Sequence, residues 1–563
     1  MPGRTAPEKK MDDSNAFSCY ITEQKQNRKG MKILLINPKF PPSYWGQEYS
    51  GPITGYTYVF PPLGLATVAS LSAPHHVEII DENVEKIDFE YAKQFDIVGL
   101  TGYMIQSERE FEICDELRSR GIFVAIGGPN AYLIKEDCRE HCDVLIAGEA
   151  ERTWPKFLKD FEQGEWQNYY EEAEKISLDY SPIPRFDLIK LSKYTAGIIQ
   201  TTRGCPFTCD FCDIIVMYGR KVREKPVEQV IQEIDALRLL GKNNIFFADD
   251  NFIGNKRYAK QLLRAIKDYN NLHNNSLEYY TQVSMNLAHD EELLQLMYDC
   301  RFLKVFIGIE SPRKSSLEGA SKGVNTRNDL LTDVRKIQSY NILIMAGMIV
   351  GFDSDDREIF QEQVDFLQAA GIPYAMVGTL QAIPHTPLYD RLKRENRLID
   401  CGSGNNFAST NIVPKLMTFQ QLIEGYNWLA SQLYTVEKFT KRVLQNVSSF
   451  ELRGLPVKVR VKWRDIKILF KTLRYTVFRW RHLKGLFLMS KAVLKKAPTH
   501  FGQIVAMYLG FIHMSNYIKK HKPSKEDIAK LVENVGKMKN QLAQMELPVI
   551  NVPKKGVEKG NAV

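Results

Sequence analysis

The 563-residue chain has only nine cysteines, and six of them are scattered, at positions 19, 114, 138, 142, 300 and 401. An odd, dispersed set provides no disulfide framework and points to a reducing, cytoplasmic setting. Residues 1–30 are polar and lack the apolar core of a signal peptide, so they are expected to form a disordered extension. Nowhere does a Gly-x-Gly-x-x-Gly turn occur, which disfavours a dinucleotide. Long apolar runs are also scarce. The best candidate, 501–518, carries no charged residue but is only 18 residues long and contains Gln503, His513, Ser515 and Asn516, which argue against a membrane span. No RNA-binding motif accompanies the basic residues, so nucleic acid is a disfavoured partner.

The three remaining cysteines stand together. Residues 201–213 read TTRGCPFTCDFCD and place Cys205, Cys209 and Cys212 in a C-x3-C-x2-C spacing. Three thiolates this close cannot all pair as disulfides, but they can converge on one soft metal centre. A 4Fe–4S cluster takes four ligands, so three protein thiolates leave one iron open. The competing readings are a zinc knuckle or a redox pair, and zinc sites usually bring a second ligand pair that is missing nearby.

Around this triplet the chain alternates short Val- and Ile-rich runs with helical stretches. KILLINP (32–38), VEIIDE (77–82), DIVGLTG (96–102), FVAIGGP (123–129) and DVLIAGE (143–149) read as strands. Helices are expected near Leu63–Leu71 and over Gln106–Arg120. This pattern predicts a parallel, doubly wound α/β sheet, with ligands at the carboxyl ends of its strands. Thr101, Gly102 and Tyr103, then Gly127, Gly128 and Pro129, then Gly148 and Glu149 fall on that edge. A Tyr-, Glu- and Pro-rich stretch, 166–195, reads as a linker. From Ala196 a second series begins with GIIQTT, NIFFADD, YYTQVSM, KVFIGIE, ILIMAGMIVG and YAMVGTLQA. Six βα units match a partial (β/α)6 TIM-type barrel, whose chemistry gathers at strand C-termini. Polar residues do end these strands: Asp249, Asp250 and Asn251, then Gln282 and Ser284, then Glu310, then Gln381. Some of them could equally cap the helix that follows.

The last section, 399–563, is mainly helical by pattern and strongly basic. Between Arg453 and Lys525 there are 18 Lys and Arg and one acid, Asp465, in a chain whose total charge is +8. The rest of the chain is therefore net negative. A basic amphipathic segment beside an apolar helix suits a peripheral contact with the inner membrane face. A buried helical domain with a solvated basic face is the competing reading.

CPFTCDFCD, FADDNFIGN, GIESP and QAIPHTPLYDRLKRENRLID, in this domain order, resemble the cobalamin-dependent radical S-adenosylmethionine (SAM) enzymes. Within them, 31–563 is similar to the branch that includes the hopanoid C-2 methylase. The resemblance implies a flavodoxin- or Rossmann-like cobalamin domain over 31–165, a radical SAM barrel over 196–398 and a helical domain over 399–563. It implies that Cys205, Cys209 and Cys212 hold a 4Fe–4S cluster. It further implies that Phe211, Asp249, Asp250, Asn251, Gln282, Ser284, Glu310 and Gln381 surround SAM, and that the glycine-rich edge of the first sheet meets cobalamin. The D-x-H-x-x-G cobalamin motif is absent; Asn37-Pro38-Lys39 stands there instead, so cobalamin is expected without a histidine lower ligand. The implied chemistry is reduction of SAM to a 5′-deoxyadenosyl radical and methyl delivery from cobalamin to an unactivated carbon of a lipid. A low-potential flavodoxin or ferredoxin would supply the electron. Radical cyclisation without methyl transfer is the alternative. A methylthiolase would need a second cysteine triplet, for which only Cys114, Cys138 and Cys142 are candidates. A non-enzymatic binding role would leave the triplet and the barrel without use.

Overall fold

A computed structural model describes residues 30–274, 276–400, 402, 404–451 and 463–545. The expected disordered extension, Gly30 apart, lies outside the described residues.

The first section is a six-stranded sheet of β1 (Lys32–Asn37), β2 (His76–Asp81), β3 (Ile97–Thr101), β4 (Val124–Gly127), β5 (Val144–Ala147) and β6 (Tyr169–Glu171). All neighbours pair in parallel in the order β2-β1-β3-β4-β5-β6. Ile33, Leu34, Leu35 and Ile36 are buried on both faces of β1, as a strand covered by helices on either side requires. The order reverses between β1 and β3, and the crevice outside that switch point is where such sheets hold ligands. Helices occur at Leu63–Leu71 and Ser107–Ser119, close to expectation. The stretch read as a linker, 166–195, is more structured than its composition implies. It supplies β6 and three single-turn 3₁₀ helices, and it buries Leu178, Phe186, Leu191 and Tyr194.

The second section follows β7 (Gly197–Ile199) with a small antiparallel hairpin of β8 (Thr202–Arg203) and β9 (Arg223–Glu224). It continues through β10 (Asn244–Phe247), β11 (Glu278–Gln282), β12 (Phe302–Glu310), β13 (Leu343–Val350) and β14 (Tyr374–Thr379). The parallel order β14-β13-β12-β11-β10-β7 puts sequential units side by side, which is a sector of a barrel with open edges at β7 and β14. Strand residues alternate between two environments. Ile245, Phe247, Val305 and Ile307 join the main core against the outer helices, whereas Phe246, Tyr280, Phe306 and Met345 form a separate cluster on the concave side.

The open side of the barrel is filled from the N-terminal section by residues 40–60. Tyr58 pairs with Tyr194 just before β7. The Tyr44 hydroxyl lies 3.1 Å from that of Tyr426, which donates to Val377 O on β14 at 3.0 Å. Phe60 stacks on Phe246 at 4.6 Å, and Trp45 sits 5.8 Å from Phe306.

The last section packs helices Phe419–Leu433 and Val436–Ser449 against the barrel, followed by Trp463–Thr476, Trp480–Lys496, Phe501–His521 and Lys525–Met545. Phe501–His521 buries residues on most of its faces, including Tyr508, Phe511 and Ile512. Two of its polar residues find partners: His513 Nε2 lies 2.9 Å from Ser43 O, and Asn516 donates to Ile512 O at 2.7 Å. Among the described residues no helix is long and apolar enough to cross a membrane.

Candidate functional site

Two carboxyl edges face each other. Met104 and Leu133, from the edge of the first sheet, pack on Met217 of the cysteine loop, with Tyr132, Tyr218 and Ile383 beside them. Lys175 donates to Met217 O at 2.5 Å. The glycine-rich turns of the first section and the cysteine loop of the second therefore share one interface.

The cysteine loop is fixed from below. Asp249, fully buried, accepts Thr201 N at 2.6 Å and Thr202 N at 3.1 Å, and its other oxygen takes the Thr201 hydroxyl. Asp250 accepts Gly204 N at 2.7 Å, directly before Cys205. Gly204 has φ +96°, and a Cβ there would stand 2.6 Å from Lys221 O, so only glycine fits the turn. Cys209 is buried, Cys205 and Cys212 are partly exposed, and all three are free thiols. Burial raises the pKa of each, to about 12 for Cys212, while the Lys322 ammonium opposes the shift. Burial would lower the Lys322 pKa, but Glu310 and Cys209 raise it overall.

This donor set suits an iron–sulfur cluster. Three free thiols leave one loop beside a fixed positive charge, which offsets the anionic character of thiolate-bound iron. A 4Fe–4S cluster spreads its thiolates over separate irons.

The expected SAM residues divide into two groups. Asp250 lines the loop, and burial pushes its carboxyl up to about 7. Asn251 and Ser284 hydrogen-bond at 3.1 Å, joining the ends of β10 and β11, and Gln282 O accepts Phe252 N at 3.0 Å. Glu310 accepts Lys322 Nζ at 3.0 Å from a left-handed backbone, φ +67°, beside a register shift in β12. Phe211 lies 6.0 Å from Phe352 and 5.9 Å from the Lys322 ammonium. Asp250, Asn251, Glu310 and Phe211 stand at the cysteine loop, and Gln282 and Ser284 reach it through the 251–252 backbone and side chain. Asp249 and the Gln381 amide nitrogen are engaged elsewhere. Both oxygens of Asp249 are used by Thr201 and Thr202. Gln381 donates to Asn405 O at 3.1 Å and Ser409 O at 2.5 Å, pinning the 405–409 loop instead.

The first-sheet candidates divide in the same way. Tyr103 is 58 % exposed and lies 6.0 Å from Phe40, an aromatic edge over the β1/β3 switch point. Thr101, Gly127, Gly128 and Pro129 are partly exposed on the same edge. Gly102 is buried and lies close above Glu110 and Asn130: a Cβ there would stand 2.5 Å from Glu110 Oε2. Gly148 is forced by a different neighbour, since its Cβ would lie 2.6 Å from Glu172 O. Glu149 is not available to a ligand. It is buried and accepts Arg203 Nη1 at 2.8 Å, Arg223 Nη1 at 2.7 Å and Ile176 N at 3.2 Å. It ties the first sheet to the β8–β9 hairpin that carries the cysteine loop.

The turns of this aromatic edge contain no histidine, although His385 of the second section stands 6.2 Å from Tyr132 beside it; the edge is compatible with a large planar group. Asn37 fills the position of the missing motif, but its amide is spent on Asp81 Oδ1 at 3.0 Å. Gln106 Nε2 donates to Pro38 O at 2.6 Å and closes the turn.

Several residues around this centre carry no sequence motif. Lys322 lies 110 residues past Cys212 and is brought in only by the barrel. The aromatic segment 40–60 falls between predicted elements; its density of Tyr, Trp and Phe is the one signal that could have drawn attention to it. Lys304, on the concave side of β12, stacks its ammonium 4.2 Å from the Tyr280 ring, and burial lowers its pKa.

Residues 199–367 match the radical SAM superfamily, and residues 386–527 match a domain of unknown function, DUF4070. Over 482 residues the chain is 37% identical to an uncharacterized methyltransferase of Synechocystis sp., covering 83% of this chain and 89% of that one. Over 421 residues it is 32% identical to the hopanoid C-2 methylase of Rhodopseudomonas palustris, covering 73% of this chain and 78% of that one. Its fold is similar to that of the cobalamin-dependent SAM radical enzyme OxsB with aqua-cobalamin bound, with a TM-score of 0.58 at 17% identity, over 92% of this chain and 81% of that one. With the free thiol triplet on a barrel sector, and a flavodoxin-like sheet facing it, the chain belongs to the radical SAM superfamily, in the methyltransferase family of the hopanoid C-2 methylase.

Proposed function

We propose that the protein is a cobalamin-dependent radical SAM methyltransferase acting on an unactivated carbon of a hopanoid-like lipid. The observation that carries this reading is the apposition of the two carboxyl edges, which brings the β1/β3 switch point to the cysteine loop. In this reading Cys205, Cys209 and Cys212 ligate the cluster. Asp250, Asn251, Gln282, Ser284 and Glu310 surround SAM, with Phe211 packed behind the loop. Thr101, Gly102, Tyr103, Gly127, Gly128 and Pro129 meet cobalamin, within working units at 31–165, 196–398 and 399–563. When bound, the cluster supplies an electron to SAM and cobalamin supplies the methyl group.

The protein's own contribution is positional. Asp249 and Asp250 fix the backbone on either side of Arg203, so the thiols leave a rigid turn. Lys322 holds and orients the Glu310 carboxylate. Phe246, Phe306 and Met345, closed over by Trp45 and Phe60, give the concave side an apolar lining that excludes water from a radical reaction. A low-potential flavodoxin or ferredoxin serves as reductant, and the basic C-terminal section makes a peripheral contact with the membrane that holds the lipid.

The test is anaerobic reconstitution with iron, sulfide and hydroxocobalamin, then SAM, reductant and a total lipid extract, with products read by mass spectrometry. The expected result is 5′-deoxyadenosine together with a lipid heavier by one methylene. Lipids lighter by two hydrogens would move the assignment to radical cyclisation. Failure to retain cobalamin after desalting would overturn the methylation reading.

A further inference from the structure

Half of the exposed large hydrophobic side chains among the described residues fall between Trp463 and Leu494. On helix Trp463–Thr476 they form a single stripe. Trp463, Ile466, Phe470 and Leu473 recur at i, i+3, i+7 and i+10, and Val477 continues the row. This is the spacing that normally faces a core. Here the helix is inverted: it packs inward through Thr472 and Thr476, with Ile468, Leu469 and Tyr475, and turns the apolar stripe to water. Arg464, Lys467, Lys471 and Arg474 make a parallel row beside the stripe at the same spacing.

Helix Trp480–Lys496 repeats the arrangement. Leu486, Met489 and Val493 are buried against the body of the protein. Trp480, Phe487 and Leu494 line the outer face at i, i+7 and i+14, with Lys484, Lys491 and Lys495 interleaved. The turn between the helices exposes Phe478 by 92 % and Trp480 by 74 %, flanked by Arg479 and Arg481. Outward apolar rows on two contiguous helices, each edged by basic rows, exceed what scattered surface hydrophobics explain.

We propose that this helix pair is a docking surface for an anionic lipid bilayer, lying in the plane of the interface. This deepens the reading above and rests on it for its purpose, the delivery of a lipid substrate. Charge complementarity selects the occupant. The apolar rows need an apolar medium, the flanking Lys and Arg need a negative surface, and aromatic side chains with a polar edge favour the boundary between the two. No acidic side chain interrupts the outer rows; Asp465 is the only acid between Arg453 and Lys525.

The full-length protein is tested by flotation with vesicles of phosphatidylcholine alone and of phosphatidylcholine with phosphatidylglycerol. Binding to the anionic vesicles should be stronger by about tenfold or more and weaken with salt. Phe470→Ser with Phe478→Ser and Trp480→Ser should abolish binding to both. Lys467→Gln with Lys484→Gln and Lys491→Gln should remove only the preference for anionic lipid. These positions are exposed, so melting curves and the deoxyadenosine yield should match the wild type. Wild-type protein that stays unbound overturns the proposal, as does a triple Ser variant that still floats. A wild-type dimer that becomes monomeric in that variant would reassign the face to self-association. Methylation of detergent-dispersed lipid separates the two claims: if it persists without vesicle binding, only the docking surface falls. If vesicles bind but no methylation occurs, only the reaction falls.

Discussion

Asp249 and Asp250 are neighbours with opposite tasks. In extended backbone, successive side chains point to opposite sides, so one turns into the protein beneath Thr201 and the other toward Gly204. The sequence offers both as polar strand-end residues and has no means of telling them apart. Asp249→Ala leaves the Thr201 and Thr202 amides unpaired in a dry site and is expected to cost about 3 kcal/mol. The melting temperature should fall, and iron per chain after reconstitution should fall with it; an unchanged iron content would argue against its role in shaping the loop. Replacing Cys205, Cys209 or Cys212 singly with Ala should leave folding intact by circular dichroism while abolishing both cluster absorption and deoxyadenosine formation. Lys322 illustrates the opposite difficulty. Nothing local marks it, because its relation to Glu310 and the thiols exists only once β12 is placed beside the cysteine loop.

At the scale of elements, the apolar strands were easy to read and the short edge strand was not. KILLIN and IVGLT are continuous Val-, Ile- and Leu-rich runs because both faces are covered. Tyr169–Glu171 is three residues at the sheet edge with one buried side chain, so its composition resembles a linker. Two buried acids join elements in ways that can be measured. Glu149 bridges the first sheet to Arg203 and Arg223 of the β8–β9 hairpin. Glu149→Ala strands Arg223 in a dry interface, while Arg203 keeps Glu151 at 2.7 Å, and should destabilise by about 3 kcal/mol, seen in denaturant melts. Glu110, under Gly102 and Asn130, has its carboxyl pushed up to about 8 by burial, against an ordinary value of 4.5. The fold favours its neutral form. That contribution is full below 4.5 and is lost as pH rises from there toward 8. Between these limits the wild type should lose about 1.4 kcal/mol per pH unit relative to Glu110→Gln. Melting curves of the two proteins that keep a constant gap from about pH 5 to about pH 8 would sink this.

At the scale of the molecule, the α/β class, the barrel sector and the helical end followed from periodicity and from the cysteine motif. How the sections meet did not, because the contacts lie between residues hundreds of positions apart. Segment 40–60 touches all three sections: Tyr58 at the first sheet and β7, Trp45 and Phe60 inside the barrel, Tyr44 and Tyr49 against helix Phe501–His521. Trp45→Ala removes a ring that covers Phe306 and should cost about 2 kcal/mol, less than a fully buried Trp because it is 39 % exposed. A larger effect on product yield than on melting temperature would mark the ring as part of the substrate enclosure.

The bond between Ser43 O and His513 spans 470 positions of sequence. On a ribosome adding 5–20 residues per second, the helix that receives Ser43 is synthesised roughly 20–90 s after Ser43 itself. Throughout that interval Tyr44 and Tyr49 lack their partners on that helix, and Trp45 waits for Phe306 during the first part of it. The first sheet can fold on its own clock, but the plug beside it cannot. The nascent chain therefore passes through a state with a sticky aromatic loop and an open barrel edge, which makes this enzyme a natural client of chaperones that act during translation.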